Sequence, residues 1–165
     1  MRTGNGEGTA RPAKSVRECA LFLLEYADRT EQELRRKLQE RGYSQEEIDE
    51  AVSFLTEYGY LNDAAYAERY IRSRSSCKSR RILRMELEKK GVDRDVIDRE
   101  LEEGMIDEKA QIRRFLEKKG YEPGEESDPA KKRKIMAALA RRGYTYDVVR
   151  SVMGELEEDS FDSEQ

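Results

Sequence analysis

The stretch Arg80–Gly91, RRILRMELEKKG, decides the fold of this chain. Leu83 and Leu87 are four residues apart and therefore share one face of a helix. Gly91 ends that helix, because glycine takes the left-handed conformation at a helix C-terminus without a steric penalty. Asp93 then accepts hydrogen bonds from the free N–H groups of a following helix. The stretch predicts two short amphipathic helices joined by a tight glycine turn.

The same pattern recurs around Gly42 and Gly143, so the turn glycine returns at intervals of 49 and 52 residues. Positions are counted here from that glycine. The matching residues are Leu34, Leu83 and Ile135 at −8; Leu38, Leu87 and Leu139 at −4; Ser44, Asp93 and Thr145 at +2; and Ile48, Ile97 and Val149 at +6. A fixed period of this length is typical of repeat proteins.

A further amphipathic helix precedes each pair, over Val16–Ala27, Asn62–Ser75 and Asp107–Lys119. No long window alternates apolar and polar residues as a half-buried strand would. The sequence therefore predicts an all-α fold of three tandem three-helix repeats. One such unit could bury only a marginal core. Neighbouring units must then share apolar faces, which predicts an elongated, curved array.

Composition predicts the limits of this array. Residues 1–14 contain almost nothing apolar, so we expect a disordered tail there. The predicted helical repeats cover residues 15–61, 62–105 and 106–156, and residues 157–165 are predicted to be an acidic tail. The third repeat has a longer first loop, residues 120–127, which reads as an exposed segment.

Several classes of function are disfavoured by composition. Charged residues make up 41% of the 165 residues and His is absent, so the commonest metal ligand and neutral-pH acid–base group is missing. The two cysteines, Cys19 and Cys77, are too few for a zinc site. No stretch is long and apolar enough for a membrane span or a signal peptide. We expect a cytoplasmic, non-enzymatic protein without cofactor or metal and without a membrane partner.

The net charge is only −4, but the charges are segregated. The 16 residues Arg69–Arg84 contain seven bases and no acid, and a second acid-free window, Pro129–Tyr146, is also basic. Candidate partner-binding residues come from these two windows: Arg69, Arg72, Arg74, Lys78, Arg80, Arg81, Arg84, Lys131, Lys132, Arg133 and Lys134.

Two readings of these bases stay open. Bases near a helix C-terminus and acids near an N-terminus favour the helix dipole, each contributing about 0.3–1 kcal/mol. The dipole explains the bases beside the turn glycines. It does not explain Arg69–Arg84, where basic charge continues into the start of the next helix. We therefore favour an anionic partner for this central run over a merely solvated face. Arg80, Arg81 and Arg84 are expected to project outward together.

Four stretches resemble the RecX family, the bacterial regulators of the RecA recombinase. They are Glu33–Tyr43 (ELRRKLQERGY), Tyr60–Arg74 (YLNDAAYAERYIRSR), Arg80–Gly91 (RRILRMELEKKG) and Lys131–Met153 (KKRKIMAALARRGYTYDVVRSVM). With the order of the units, the resemblance covers about residues 16–155. The second stretch is the most specific of the four, because leucine–basic–glycine helix ends occur in many helical proteins.

The resemblance implies three tandem three-helix repeats and a cytoplasmic protein that is not an enzyme. Family members bind within the helical groove of the RecA–single-stranded DNA filament and restrain the ATPase, strand-exchange and coprotease activities of RecA. This implies roles in DNA repair, DNA recombination and the SOS response. Members often place a Gly- and Pro-containing turn before the second repeat's middle helix. Ser76, Lys78 and Ser79 occupy it here, so a less rigid turn is expected.

Three hypotheses follow for the partner. The first is a monomeric regulator that lays a basic face along the RecA nucleoprotein filament, with direct contact to single-stranded DNA as a further expectation. The second is a general DNA-binding helical module not specific to RecA, which the negative net charge disfavours. The third is a protein-docking scaffold that involves no nucleic acid.

Overall fold

The structure, a computed structural model, describes residues 14–124 and 128–162. Within these ranges the chain forms nine α-helices and no strand. They are α1 (Val16–Tyr26), α2 (Glu31–Glu40), α3 (Gln45–Glu57), α4 (Asp63–Arg74), α5 (Arg80–Lys89), α6 (Arg94–Glu103), α7 (Glu108–Lys118), α8 (Pro129–Arg141) and α9 (Tyr146–Asp162). The predicted all-α fold of three three-helix repeats is confirmed. We refer to α1–α3, α4–α6 and α7–α9 as the first, second and third units.

Both predicted tails lie partly outside the described residues. Of the predicted disordered tail, only Lys14 is described, and of the predicted acidic tail the last three residues are not. Residues 125–127 of the long loop in the third unit are likewise outside the described ranges. The acidic segment that can be followed is helical, because α9 continues through Asp162.

Local sequence signals account for the helix ends. The side chains of Ser15, Thr30 and Ser44 each accept a hydrogen bond from the backbone N–H of the Glu three residues later. The carboxylate of that Glu accepts from the backbone N–H of the cap residue, so α1, α2 and α3 begin with full capping boxes. The turn glycines end α2, α5 and α8 with positive φ angles of 87°, 81° and 89°. This is the left-handed conformation that the sequence pattern requires.

The buried residues form three separate cores, one in each unit. The leucines predicted to face inward are fully buried, with no exposed surface at Leu34, Leu38, Leu83, Leu87 and Leu139. Each core closes within its own three helices, so the prediction that neighbouring units share apolar faces is wrong. The units are therefore joined by contacts of a different kind, at the ends of the middle helices.

Two joints of the same design connect the units. At the first joint, between the first and second units, the hydroxyl of Thr30 donates to the carbonyl oxygen of Lys90 at 2.5 Å. At the second joint, between the second and third units, the hydroxyl of Ser79 donates to the carbonyl oxygen of Arg142 at 2.8 Å. Thr30 and Ser79 are fully buried. Each cap residue thus begins its own middle helix and also holds the glycine turn of the next unit.

A second hydrogen bond repeats at both joints. The N–H of Glu31 donates to Oδ1 of Asp63, and the N–H of Arg80 donates to Oε1 of Glu108, both at 2.9 Å. The first residue of one unit's leading helix therefore satisfies a free N–H of the preceding unit's middle helix. As a result, the start of α2 lies against the end of α5, and the start of α5 lies against the end of α8.

The loop before α5, expected to lack rigidity, is held by the third unit. The buried side chain of Gln111 donates to the carbonyl oxygens of Ser75 and Lys78, at 2.6 and 3.0 Å. Arg114 donates to the carbonyl oxygen of Ser76 at 2.6 Å. These bonds supply the order that a glycine–proline turn would supply locally.

Candidate partner-binding surface

Most bases of the central run are paired within the chain. Arg69 forms a two-pronged ion pair with Asp28, with both N–O distances at 2.9 Å, and this carboxylate raises the pKa of Arg69. Three further pairs join bases of the run to carboxylates of the same unit: Arg72 with Glu68, Lys78 with Glu86, and Arg84 with Asp98. Their charge is therefore compensated locally.

The Lys78 pair belongs to a small polar network. Burial alone would raise the pKa of Glu86, but hydrogen bonds from Lys78 and Tyr70 hold this pKa below its ordinary value. The guanidinium of Arg74 lies over the ring of Tyr70, 3.8 Å from its centroid. The carboxylate of Glu86 therefore stays ionised and offsets the positive charge around it.

Arg80 does not project outward with its neighbours. Its guanidinium donates to the carbonyl oxygen of Leu101, in the last turn of α6, at 2.5 Å, and to that of Ile106, just beyond the helix, at 3.5 Å. These carbonyls have no helical partner, so a cation there has a structural role. The prediction that Arg80, Arg81 and Arg84 share a free outward face is wrong for Arg80, and Arg84 is paired.

Arg81 is the exception in the central run. It is exposed, and its side chain has neither a carboxylate nor a carbonyl partner among the described residues. In the second basic window, Lys131 donates to the carbonyl oxygen of Gly120 at 2.6 Å and Lys132 pairs with Glu157 at 3.5 Å. Two further predicted residues in that window, Arg133 and Lys134, are exposed and have no partner among the described residues.

The unpaired bases occupy equivalent positions in two units. Arg81 and Arg133 both lie at −10 relative to the turn glycine, and Lys89 and Arg141 both lie at −2. All four are exposed and unpaired within the described residues. Positions eight residues apart share a helix face, about 12 Å apart along the axis. This face of α5 and α8 is opposite the one that carries the buried residues at −8 and −4.

These bases form one surface. An added Cβ on Gly143 would lie 3.4 Å from Cβ of Arg81, so the end of α8 adjoins the start of α5. We call the surface the basic ridge, and define it by its five unpaired members: Arg81, Lys89, Arg133, Lys134 and Arg141. It extends over both middle helices and crosses the second joint.

The first unit does not continue the ridge. Its residues at −10 and −2 are Gln32 and Glu40. All three bases between them are paired with carboxylates: Arg35 with Glu31 and Asp49, and Arg36 and Lys37 with Glu40. The free cations at the −10 and −2 positions are thus confined, among the described residues, to the second and third units. Sequence reasoning attributed Arg141, which lies in the second acid-free window, to the helix dipole, and it missed Lys89 because Glu86 and Glu88 precede it. Aligning the three units on their turn glycines and comparing exposed positions would have found both.

Other kinds of site have little support. Nowhere in residues 14–124 and 128–162 do three carboxylates or thiols converge as potential metal ligands. None of the helices in those ranges is sufficiently long and apolar to traverse a membrane. The exposed cationic face of α5 and α8 therefore remains the strongest candidate for partner binding.

Comparison with known proteins assigns the family. Family models for the first, second and third three-helix domains of RecX match residues 17–55, 62–101 and 107–153. The chain belongs to the RecX family. Each of the three matches coincides with one unit of the fold, so the family's three-domain order is preserved.

Relatives and solved structures agree with this assignment. Regulatory protein RecX of Trichlorobacter lovleyi is 37% identical over 140 residues, which cover 81% of this chain and 90% of that protein. Regulatory protein RecX of Clostridium botulinum is 33% identical over 144 residues, covering 84% and 67% respectively. The crystal structure of RecX from Lactobacillus salivarius superposes with a TM-score of 0.73, at 25% identity, over 86% of this chain and 94% of that one.

Proposed function

We propose that this chain binds the RecA–single-stranded DNA filament and inhibits the ATPase, strand-exchange and coprotease activities of RecA. Curated relatives named Regulatory protein RecX support a regulatory role. The observation that carries the proposal is the basic ridge, because its five cations lack partners among the described residues and four of them occupy equivalent positions in two units. The chain acts without catalysis of its own, as a monomer in the cytoplasm, in DNA repair, recombination and the SOS response.

The ridge suits an anionic, periodic partner. A cation already paired with a carboxylate gains little from a second anion, whereas a free cation releases bound counterions from a polyanion. The filament presents phosphates along its length, and the ridge presents bases about 12 Å apart along each of two helices. Of the candidate residues predicted from sequence, Arg81, Arg133 and Lys134 are therefore the proposed contacts, to which Lys89 and Arg141 are added.

The test is RecA-dependent ATP hydrolysis on single-stranded DNA, titrated with this protein at two salt concentrations. The wild-type chain should inhibit hydrolysis. A variant with Arg81→Glu, Arg133→Glu and Arg141→Glu should require at least about tenfold more protein for half-inhibition. The difference should shrink at high salt, because screening weakens the wild-type contact.

A matched control reverses three paired arginines: Arg36→Glu, Arg72→Glu and Arg94→Glu. Their partners are Glu40, Glu68 and Glu88, all carboxylates of the same unit. The control carries the same change in net charge and should inhibit much as the wild type does. Circular dichroism checks that both variants remain helical. Equal inhibition by wild type and the ridge variant at both salts would overturn the role of the ridge.

A general DNA-binding module is the second candidate, favoured by the same free cations. The two candidates differ in their partner. Affinity measurements against bare single-stranded DNA, free RecA and the assembled filament separate them, since a RecA regulator should bind the filament tightest. Equal affinity for bare DNA and filament would favour the general module, and preference for free RecA would favour a docking scaffold.

A further inference from the structure

A surface cleft of about 600 Å³ lies at the second joint, beside the basic ridge. Its wall includes the loop before α5 and one side of α7, and the turn after α8 closes it. The lining side chains that matter here are Cys77, Arg114, Phe115, Glu117, Lys118 and Arg142. Three of the six are cations and only Glu117 is an acid. The cleft is therefore a local concentration of positive charge in a chain whose net charge is −4.

The first joint provides an internal reference for this cleft. Arg69 and Arg114 are the seventh residues after the N-caps of α4 and α7, and each reaches back to the loop of the preceding unit. Arg69 meets the carboxylate of Asp28, whereas Arg114 meets only the carbonyl oxygen of Ser76. A guanidinium on a carbonyl keeps its full charge and retains free N–H donors.

The second cation shows the same contrast. Lys90 and Arg142 both lie immediately before the turn glycine. Lys90 pairs with Glu33 at 3.0 Å, and this hydrogen bond raises the pKa of Lys90. Arg142 lies over the ring of Phe115, 4.6 Å from its centroid, and has no carboxylate partner among the described residues. Both equivalent cations are thus paired with carboxylates at the first joint and have no carboxylate partner, among the described residues, at the second.

Two substitutions between the units account for this difference. The residues 49 positions after Asp28 and Glu33 are Cys77 and Ile82, so each carboxylate of the first joint is replaced by an uncharged side chain at the second. The backbone hydrogen bonds of the two joints are otherwise the same. The second joint lacks the two carboxylates of the first joint but has cations at the equivalent positions.

We propose that the cleft at the second joint binds phosphodiester groups of a single DNA strand, with Arg114, Lys118 and Arg142 as the binding cations. The proposal rests on the proposed function in taking a nucleic-acid strand as the ligand. A phosphate would occupy the place that carboxylates occupy at the first joint. All three cations belong to the third unit, and the loop before α5 in the second unit forms the facing wall of the cleft.

The surroundings of Arg142 favour a nucleic acid over an acidic peptide. One face of its guanidinium lies on Phe115, and the residue is exposed. A planar guanidinium held in this way can stack with a base while its N–H groups bind phosphate. A strand supplies both groups in alternation. Acidic side chains supply anions but no aromatic ring to stack on the outer face of the guanidinium.

The thiol of Cys77 allows occupancy of the cleft to be measured directly. Cys77 is exposed and lines the cleft, whereas Cys19 is buried, so alkylation of the native protein reports on Cys77. A saturating deoxythymidine oligonucleotide at low salt should slow alkylation by iodoacetamide by at least about tenfold, with protection lost at high salt. Unprotected Cys77, with the oligonucleotide shown to be bound by anisotropy, would overturn the proposal.

Three ligands identify the source of protection. The single strand should protect Cys77 more than a duplex of the same sequence, and poly-glutamate should protect least. Protection by the duplex equal to that by the single strand would overturn the assignment to a single strand. Stronger protection by poly-glutamate would overturn the assignment to nucleic acid and make the cleft a site for acidic protein segments.

A substitution that introduces a carboxylate into the second joint tests the proposal more directly than protection of Cys77 does. Cys77→Asp places an anion where Asp28 lies in the first unit, without removing any cation. Its affinity for the labelled oligonucleotide should fall by at least about fivefold, whereas Cys77→Asn, of similar shape but uncharged, should bind as the wild type does. Equal binding by the two variants would overturn the proposal.

Charge reversal of a lining residue completes the set. Lys118→Glu should weaken oligonucleotide binding by a similar factor, whereas Arg150→Glu, a matched change on the exposed side of α9, should not. These assays contain no RecA, so their outcome is separable from the proposed function. If the protein inhibits RecA but the oligonucleotide does not protect Cys77, the cleft proposal is overturned and the proposed function stands. If the oligonucleotide protects Cys77 but the protein does not inhibit RecA, the cleft proposal stands and the proposed function is overturned.

Discussion

The two joints share one hydrogen-bonding design and differ in charge. In both, a buried hydroxyl holds the next unit's glycine turn and a carboxylate at the start of the next unit accepts from a free N–H. The first joint adds two ion pairs across the units, Arg69–Asp28 and Lys90–Glu33. The second joint adds the amide of Gln111 and leaves its cations without carboxylates. The two joints thus have the same hydrogen-bond geometry but different local charge.

This divergence separates a structural joint from one that is available to a partner. An ion pair that is about half exposed, such as Arg69–Asp28, contributes about 0–1 kcal/mol, so the absence of its carboxylate costs the fold little. The order lost with this ion pair is restored at the second joint by Gln111, whose bonds are neutral and buried. The second joint can therefore keep its shape and still present positive charge.

The largest expected effect concerns the turn glycine of the second joint. Gly143→Ala would place a Cβ 2.5 Å from Oγ of Ser79. Left-handed strain of about 1–2 kcal/mol and overpacking of about 1–3 kcal/mol should together lower the free energy of unfolding by about 2–5 kcal/mol. Urea denaturation of the wild type and the variant measures this loss in the free energy of unfolding.

Gly42→Ala is the matched control, because no atom lies within 4 Å of an added Cβ there and Gly42 also has a positive φ. It should cost only the strain, about 1–2 kcal/mol. Equal losses at Gly42 and Gly143 would mean that the close approach at the second joint contributes nothing.

The next effect should come from Gln111→Ala. The change removes the hydrogen bonds to the carbonyl oxygens of Ser75 and Lys78. It also removes Oε1 of Gln111, to which the buried hydroxyl of Tyr144 donates at 2.6 Å in the wild type. A loss of about 2–4 kcal/mol in the free energy of unfolding is expected. Proteolysis should also become faster at the loop before α5.

Tyr66 occupies the position of Gln111 at the first joint, and the ammonium of Lys90 lies 6.0 Å from the centroid of its ring. Tyr66→Phe should therefore cost less than about 1 kcal/mol. If Tyr66→Phe lowered the free energy of unfolding as much as Gln111→Ala, the second joint would not depend on its side-chain hydrogen bonds more than the first joint does.

A smaller effect is expected from Asp28→Asn. This change removes the partner of Arg69 at the first joint, where both side chains are about half exposed. The loss should be about 0.2–1 kcal/mol at low salt and should disappear at high salt, since screening already weakens the pair. The denaturation midpoint at two salt concentrations measures it. A loss that is independent of salt would indicate a packing role for Asp28.

The smallest effect concerns pH. Burial raises the pKa of Asp63 above its ordinary value, with Glu31 and Glu33 acting in the same direction, while the backbone hydrogen bond from Glu31 lowers it. The folded state therefore holds this proton more strongly than the unfolded chain. The resulting stability is present below the unfolded pKa and is lost as pH rises through the folded pKa.

Asp63→Asn removes that titration but keeps an oxygen to accept from the N–H of Glu31. Its free energy of unfolding should fall less than that of the wild type as pH rises from about 4 to about 7. Parallel pH profiles for the two proteins would contradict a raised pKa at the first joint.

Much of the fold could be predicted from short-range spacing. The apolar residues at −8 and −4, the capping boxes at Thr30 and Ser44 and the turn glycines act within a few residues, so each can be recognised in the sequence alone. The interaction surface could be predicted only in part. Arg81, Arg133 and Lys134 were chosen because acids are absent nearby, yet the same criterion selected Arg69, whose partner Asp28 lies 41 residues away.

The sequence by itself determined nine helices within the described ranges, their grouping into three units and the family, because helix periodicity and end signals are local. Only the tertiary structure decided which bases are free. Whether a cation is compensated depends on carboxylates brought close by folding, such as Glu33 beside Lys90, 57 residues away. Equivalent sequence positions therefore became an ion pair at the first joint and an open cationic cleft at the second, because the charges facing them come from different parts of the chain.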